Sequence, residues 1–160
     1  MENIVIIFIH LIAAGIGLGS LVYCILLLLP AMEKLPQQKT AEEHSLTYKS
    51  LEILSPTVFV SLLVLVGTGI YHLMANYTRQ VELASGYYNL FGVKMLFVIV
   101  ALFLSIYQTF TLKGKIADLD LVPENRKQVP ATLNKMRLIS KLTLASMFIA
   151  ILLGVWLARF

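Results

Sequence analysis

Three ionisable side chains stand inside stretches that are otherwise apolar: His10, His72 and Lys94. An ionisable group within a membrane-crossing segment is costly and marks a functional site by default. Imidazoles ligate metals, haem iron included, or move protons. An ammonium on a flexible stem pairs with an anionic substituent or takes part in proton transfer. At about 1.5 Å per residue, His10 falls roughly 10 Å inside the start of its segment. His72 falls roughly 8 Å before the end of its own, and Lys94 roughly 10 Å after the start of the third. Antiparallel packing of consecutive segments predicts one layer for all three. Taken singly, each has a plain structural role: an imidazole bonds a neighbouring helix, and a lysine snorkels to the headgroups. A common depth in three segments is not something packing requires.

Four runs must position these groups. They cover about 3–29, 54–77, 87–112 and 138–157, and they raise the hydrophobic content of the 160 residues to 58%, with only 14% charged. A soluble domain carries about 25% charge. Each run has about the 20 residues needed to cross ~30 Å of hydrocarbon. Backbone amides in lipid must be satisfied internally, so the runs are helices. The first run is too long for the apolar part of a signal peptide and has no basic residues before it, so it is expected to be a retained span. The expectation is an all-α fold: one four-span membrane domain over 1–160, built as a four-helix bundle.

Small residues surround the polar layer. Ala13, Ala14 and Gly17 follow His10 by three, four and seven residues, on its face of the helix. Thr68 and Gly69 precede His72 by four and three. Both histidines thus look across surfaces cleared of bulk. Gly15 and Gly19 form a GxxxG pair, which admits a second helix, a flat ligand or a second copy of the chain.

Two histidines facing each other across a bundle suit the axial positions of haem b. His10 and His72 are then the iron ligands, with Ala14, Gly17 and Gly69 admitting the porphyrin plane. Lys94, Arg79 and Arg159 are placed for its propionates, and Lys94 is also a candidate for proton transfer. Tyr71, Tyr87, Tyr88 and Trp156 line the edge, where aromatic belts are expected in any case. Copper is the alternative: His10 and His72 with Met74 or Met95 make a mixed nitrogen and thioether set suited to Cu(I). A third alternative is a structural subunit of a membrane complex, its polar groups tying helices together. His44, among Glu42, Glu43 and Ser45, reads as solvated. The chain has no paired carboxylates, nucleophile constellation or glycine-rich phosphate loop, which argues against hydrolytic chemistry.

The net charge of +4 is unevenly placed. Lys34, Lys39 and Lys49 lie between the first two runs. Lys113, Lys115, Arg126, Lys127, Lys135, Arg137 and Lys141 lie between or at the facing ends of the last two. The positive-inside rule puts both clusters in the cytoplasm and both termini outside. The basic charge is a topology signal, and no nucleic-acid partner is needed to explain it. Thr40-Ala-Glu-Glu43 has the pattern of a capping box. Ser55-Pro56 marks a kink or the start of the second membrane segment, 76–86 a tight hairpin between the second and third spans, and Pro130 the first turn of a helix continuing into the fourth. Cys24 stands alone in apolar surroundings and carries no disulfide argument.

Ile9-His10-Leu-Ile-Ala-Ala-Gly-Ile-Gly-Leu-Gly19 resembles the first span of the CopD-type copper-resistance membrane domain and its relatives. Val66-Gly-Thr-Gly-Ile70 and Leu90-Phe-Gly-Val-Lys94 resemble the second and third spans of the same superfamily, and the likeness runs through all four spans in order. The superfamily takes in the HemJ-type protoporphyrinogen oxidases, haem-associated proteins of four to five spans. The resemblance implies a membrane-embedded oxidoreductase, with His10 and Lys94 at the positions of that family's functional first-span His and third-span Lys. His72 has no assigned counterpart, and Tyr107-Gln108 has no histidine where some relatives carry one. A bacterial plasma-membrane location and an unidentified redox partner go with this expectation.

Overall fold

The computed structural model describes residues 2–34, 41–77, 87–112, 114–115 and 128–157. All of the regular structure among them is helical. Helix α1 (Glu2–Tyr23) passes through a π-helical turn (Cys24–Leu28) into α2 (Leu29–Lys34). Helix α3 is Ala41–Tyr77; α4 (Tyr87–Ile106) ends in a second π-helical turn (Tyr107–Leu112); α5 is Val129–Leu157. Four helical stretches are long and apolar enough to cross a membrane: Ile4–Glu33, Lys49–Tyr71, Asn89–Leu112 and Pro130–Leu157.

The helices outrun the apolar segments. The first stretch, at 30 residues, is about 45 Å long, well beyond the hydrocarbon. Charges at Glu33, Arg137 and Lys141 end the apolar runs near the basic end, but helix continues through them. Arg137 Nη2 and Glu33 Oε2 meet at 2.7 Å there, joining α2 to α5. Helix α3 continues through Ser55-Pro56, which therefore does not start it. Proline contributes no amide hydrogen to a helix, and nearby hydroxyls supply donors to the backbone around it. Thr57 donates to the Ile53 carbonyl at 2.7 Å, and Thr109 of the third span donates to the Ser55 carbonyl at 3.1 Å. The helix begins at Ala41, while Thr40 of the expected capping box lies outside the described residues, and Pro130 lies in the first turn of α5.

The surface and interior are inverted relative to a soluble protein. Ile4, Phe8, Leu26, Ile53, Leu96, Phe103, Phe148 and Val155 are exposed, whereas Ser61, Ser105, Gln108, Ser140, Thr143 and Ser146 are buried. Lipid is as apolar as leucine, so association relies on close packing and interhelical hydrogen bonds. The first span packs most extensively on the second, and the third on the fourth. The second and third touch over less of their length, so the closest antiparallel pairs are not the expected hairpin; most of its turn lies outside the described residues. Leu21, Val58, Leu62, Ala101 and Met147 form the middle of the core. Cys24, Leu28, Met32, Leu51, Leu112, Leu133 and Met136 fill the basic end.

Both π turns serve one contact. A π turn carries an extra residue and re-aims the side chains around it. Here the turns bear Cys24 and Gln108. The Cys24 thiol bonds Ser140, and the Ser140 hydroxyl donates to Gln108 Oε1 at 3.1 Å. The first, third and fourth spans are thereby tied together. Ser55 Oγ, also buried, has no partner among the described residues.

Gly17 sits where a Cβ would lie 3.2 Å from both Ser61 Cβ and Met147 Cε. Its expected place beside a ligand gives way to a packing role, because the second and fourth helices already fill that face. Gly15 and Gly19 have nothing within 4 Å of such a Cβ. The GxxxG pair faces outward from the chain.

Replacing Gly17 by Leu should destabilise the bundle by about 1–3 kcal/mol through overpacking, while Gly15→Leu should leave the monomer nearly unchanged. Unfolding titrations with dodecyl sulfate in mixed micelles measure both, and equal losses would refute the packing role. In the same assay Ser140→Ala, which strips Gln108 of a buried partner, should cost about 1–3 kcal/mol. Ser55→Ala removes an unsatisfied hydroxyl and should be neutral or stabilising.

Candidate functional site

His10 lies two turns into α1, half-buried against the second span. Its Nδ1 is 2.7 Å from Thr68 Oγ1. The same hydroxyl oxygen is 2.6 Å from the Val64 carbonyl and 3.2 Å from that of Leu65. A threonine hydroxyl has one proton, and the shorter carbonyl contact claims it. Backbonding of this kind to the preceding turn is ordinary for a helical threonine. Thr68 Oγ1 therefore accepts from His10 Nδ1–H. In the neutral ring, Nε2 is then the nitrogen without a proton, the one suited to ligate a metal or accept a proton. A fixed tautomer held by a second residue is how ligating histidines are oriented in metal sites.

Lys94 lies early in α4 and is half-buried. Its Nζ is 3.2 Å, and its Cε 3.5 Å, from the place a Cβ would take on Gly154 of α5. The Lys94 amino group thus lies against the fourth helix at Gly154. A side chain there would require the lysine to shift by a few tenths of an ångström.

The structure thus describes two interhelical pairs, His10 with Thr68 and Lys94 with Gly154. Each of the four spans contributes one member. His72 belongs to α3, one turn beyond Thr68, and its side chain lies outside the described residues, as do Arg79 and Arg159. Ala14 is half-buried, and Gly69 has nothing within 4 Å of a Cβ position. Tyr71 and Trp156 are exposed, as a membrane-interface belt requires. Among the described residues no three of His, Cys, Asp and Glu group together.

An apolar groove of about 460 Å³ runs between the first two spans, with Ile9, Ala13, Ile16, Pro56, Val60 and Val64 among its walls. That volume is in the range of small-molecule and cofactor sites. Ala13 and Val64 place its end one turn from His10 and Thr68. The pair lies beside the groove rather than in its lining, where Thr57 and Ser61 are the polar residues.

Two members of the site were hidden in the sequence. Thr68 reads there as a small neighbour of His72, and Gly154 only as half of a faint echo between Gly69-Ile-Tyr71 and Gly154-Val-Trp156. A hydroxyl at the depth of an intramembrane histidine, on the adjacent span, is the signal that finds Thr68. No family model, curated protein or solved structure matches this chain.

The hydrogen-bond direction is testable by nitrogen NMR of histidine-labelled protein in micelles. The neutral His10 ring should give the Nδ1–H tautomer in the parent and in Thr68→Ser. Thr68→Val should shift the population to Nε2–H, and an unchanged spectrum would show that Thr68 does not set the tautomer.

Proposed function

We propose that the protein holds haem b, or a closely related porphyrin, at the His10 end of the bundle for redox chemistry. His10 Nε2 would ligate its iron. The supporting observation is the bond from its Nδ1–H to Thr68, which leaves the ligating nitrogen unprotonated and holds the ring between two helices. The donor set fits this group: imidazole is a haem ligand, and the groove one turn away offers an apolar surface to a macrocycle. When bound, the haem supplies one-electron exchange at its iron.

The chain's own residues do the rest. His72 is the proposed second ligand, from one turn beyond Thr68. Lys94, beside Gly154, would pair with a propionate, and Arg79 and Arg159, outside the described residues, are proposed for the same role. Ala14 and Gly69 leave room beside the ring. The resemblance of the first and third spans to HemJ-type and CopD-type domains accords with this reading. Loop charge favours a bacterial plasma-membrane protein with both termini outside and the site in the outer leaflet.

Protein purified from cells with full haem supply should show a Soret band that disappears in His10→Ala. Thr68→Val should weaken haem retention about 10- to 100-fold, the usual cost of losing the group that orients a ligating histidine, and Thr68→Ser should restore it. A Soret band indifferent to His10→Ala overturns the assignment, and so does colourless protein after haem reconstitution. Colourless protein carrying copper moves the function to Cu(I) handling. The same His10–Thr68 bond also supports the purely structural reading, in which His10→Ala lowers stability and changes no spectrum.

A further inference from the structure

At the opposite end of the molecule a second cavity, of about 410 Å³, opens where the third span ends and the fourth begins. Polar groups take a larger share of its wall than in the groove beside His10: Tyr107, Thr111, Lys115, Gln128, Thr132 and Lys135 line it together with Leu112 and Ala131. Lys135 Nζ stands 5.1 Å from the centre of the Tyr107 ring, a cation–π contact that joins the two helices across the cavity. The Thr132 hydroxyl donates to the Gln128 carbonyl at 3.1 Å. Among the described residues that line the cavity, both charged groups are cations, and no carboxylate faces them.

What adjoins the cavity on its membrane side is apolar. Phe103 lies one turn from Tyr107, toward the middle of the third span. Leu138 and Leu142 lie one and two turns from Lys135, toward the middle of the fourth. All three are exposed. Helical spacing puts Phe103 on the Tyr107 face and both leucines on the Lys135 face. The Lys135–Tyr107 contact brings those two faces side by side. A cationic cup thus continues into an exposed apolar track that runs into the bilayer.

We propose that this cavity is a binding site for an anionic phospholipid. Lys115 and Lys135 hold the phosphate, the Thr111 hydroxyl and the Gln128 side chain are in place to bond phosphate or glycerol oxygens, and an acyl chain lies along Phe103, Leu138 and Leu142. The occupant is a lipid rather than a free phosphoryl anion because the apolar track would have no use for the latter. Basic pockets between helices at the cytoplasmic face are a recognised mode of anionic headgroup binding, and the loop charges place this end there. The site is independent of the haem proposal, being on the other face of the membrane.

Native mass spectrometry of the detergent-purified full chain, with phosphatidylglycerol or phosphatidylcholine added, tests it. Phosphatidylglycerol adducts should exceed those of phosphatidylcholine. Combined Lys115→Gln and Lys135→Gln should weaken phosphatidylglycerol binding about thirtyfold, since each lysine near an anionic surface contributes roughly fivefold. Lys115→Arg with Lys135→Arg should retain it, which separates loss of charge from loss of fold. Lys49→Gln, an exposed lysine outside the cavity, should have little effect. Three results overturn the proposal: undiminished binding by the double glutamine variant, an equal loss in Lys49→Gln, or inorganic phosphate alone displacing the lipid at comparable concentration.

Discussion

Lipid supplies no hydrophobic force between helices, and every other feature of this bundle answers to that. A soluble four-helix protein would bury leucine stripes and let water take the polar faces. Here leucine, isoleucine and phenylalanine face outward, and cohesion comes from close contact and from hydroxyls that reach across interfaces. Gly17 lets three helices converge, Ser140 links Cys24 with Gln108, and Thr109 caps a carbonyl beside Pro56. Each contact is small in free energy, which is why they recur along the whole interior instead of being gathered in one core.

The same rule makes the polar groups hard to classify by type alone. A threonine that backbonds its own helix costs little in lipid and fills no role beyond satisfaction. Once its proton is committed to Val64, however, its oxygen becomes an acceptor with a fixed direction, and His10 is oriented by it. On the proposed reading, structural cohesion and ligand orientation are the same bond. The two differ in what Nε2 does, and spectroscopy rather than stability separates them.

The molecule is also polarised along its axis. At one end two described ionisable groups are half-buried and held between helices: His10 on Thr68, Lys94 on Gly154. At the other they are numerous and interfacial: the Arg137–Glu33 ion pair, Lys135 over Tyr107, and Lys115 at the rim of a polar cavity. Both π-helical turns fall in the basic half. There the extra residue in each turn lets Cys24 and Gln108 reach Ser140 while the helices continue through the interface. The first end has the makings of a cofactor site, and the second of an anchor to charged lipid.

Composition alone determined that the chain is helical and crosses a membrane four times, because twenty-residue apolar runs leave the backbone no alternative in hydrocarbon. Periodicity could likewise put Ala13 and Gly17 on the His10 face. It could not say whether that face met a ligand or a neighbouring helix, and Ser61 and Met147 turned out to occupy Gly17. The partners of His10 and Lys94 were decided only by tertiary packing, since Thr68 lies 58 residues from His10 and Gly154 sixty from Lys94. Local sequence has no term for such distances. Pro56 does not begin the helix, which starts fifteen residues earlier at Ala41, and the bond from Thr109 of another span to the Ser55 carbonyl beside it could not be read from Ser55-Pro56.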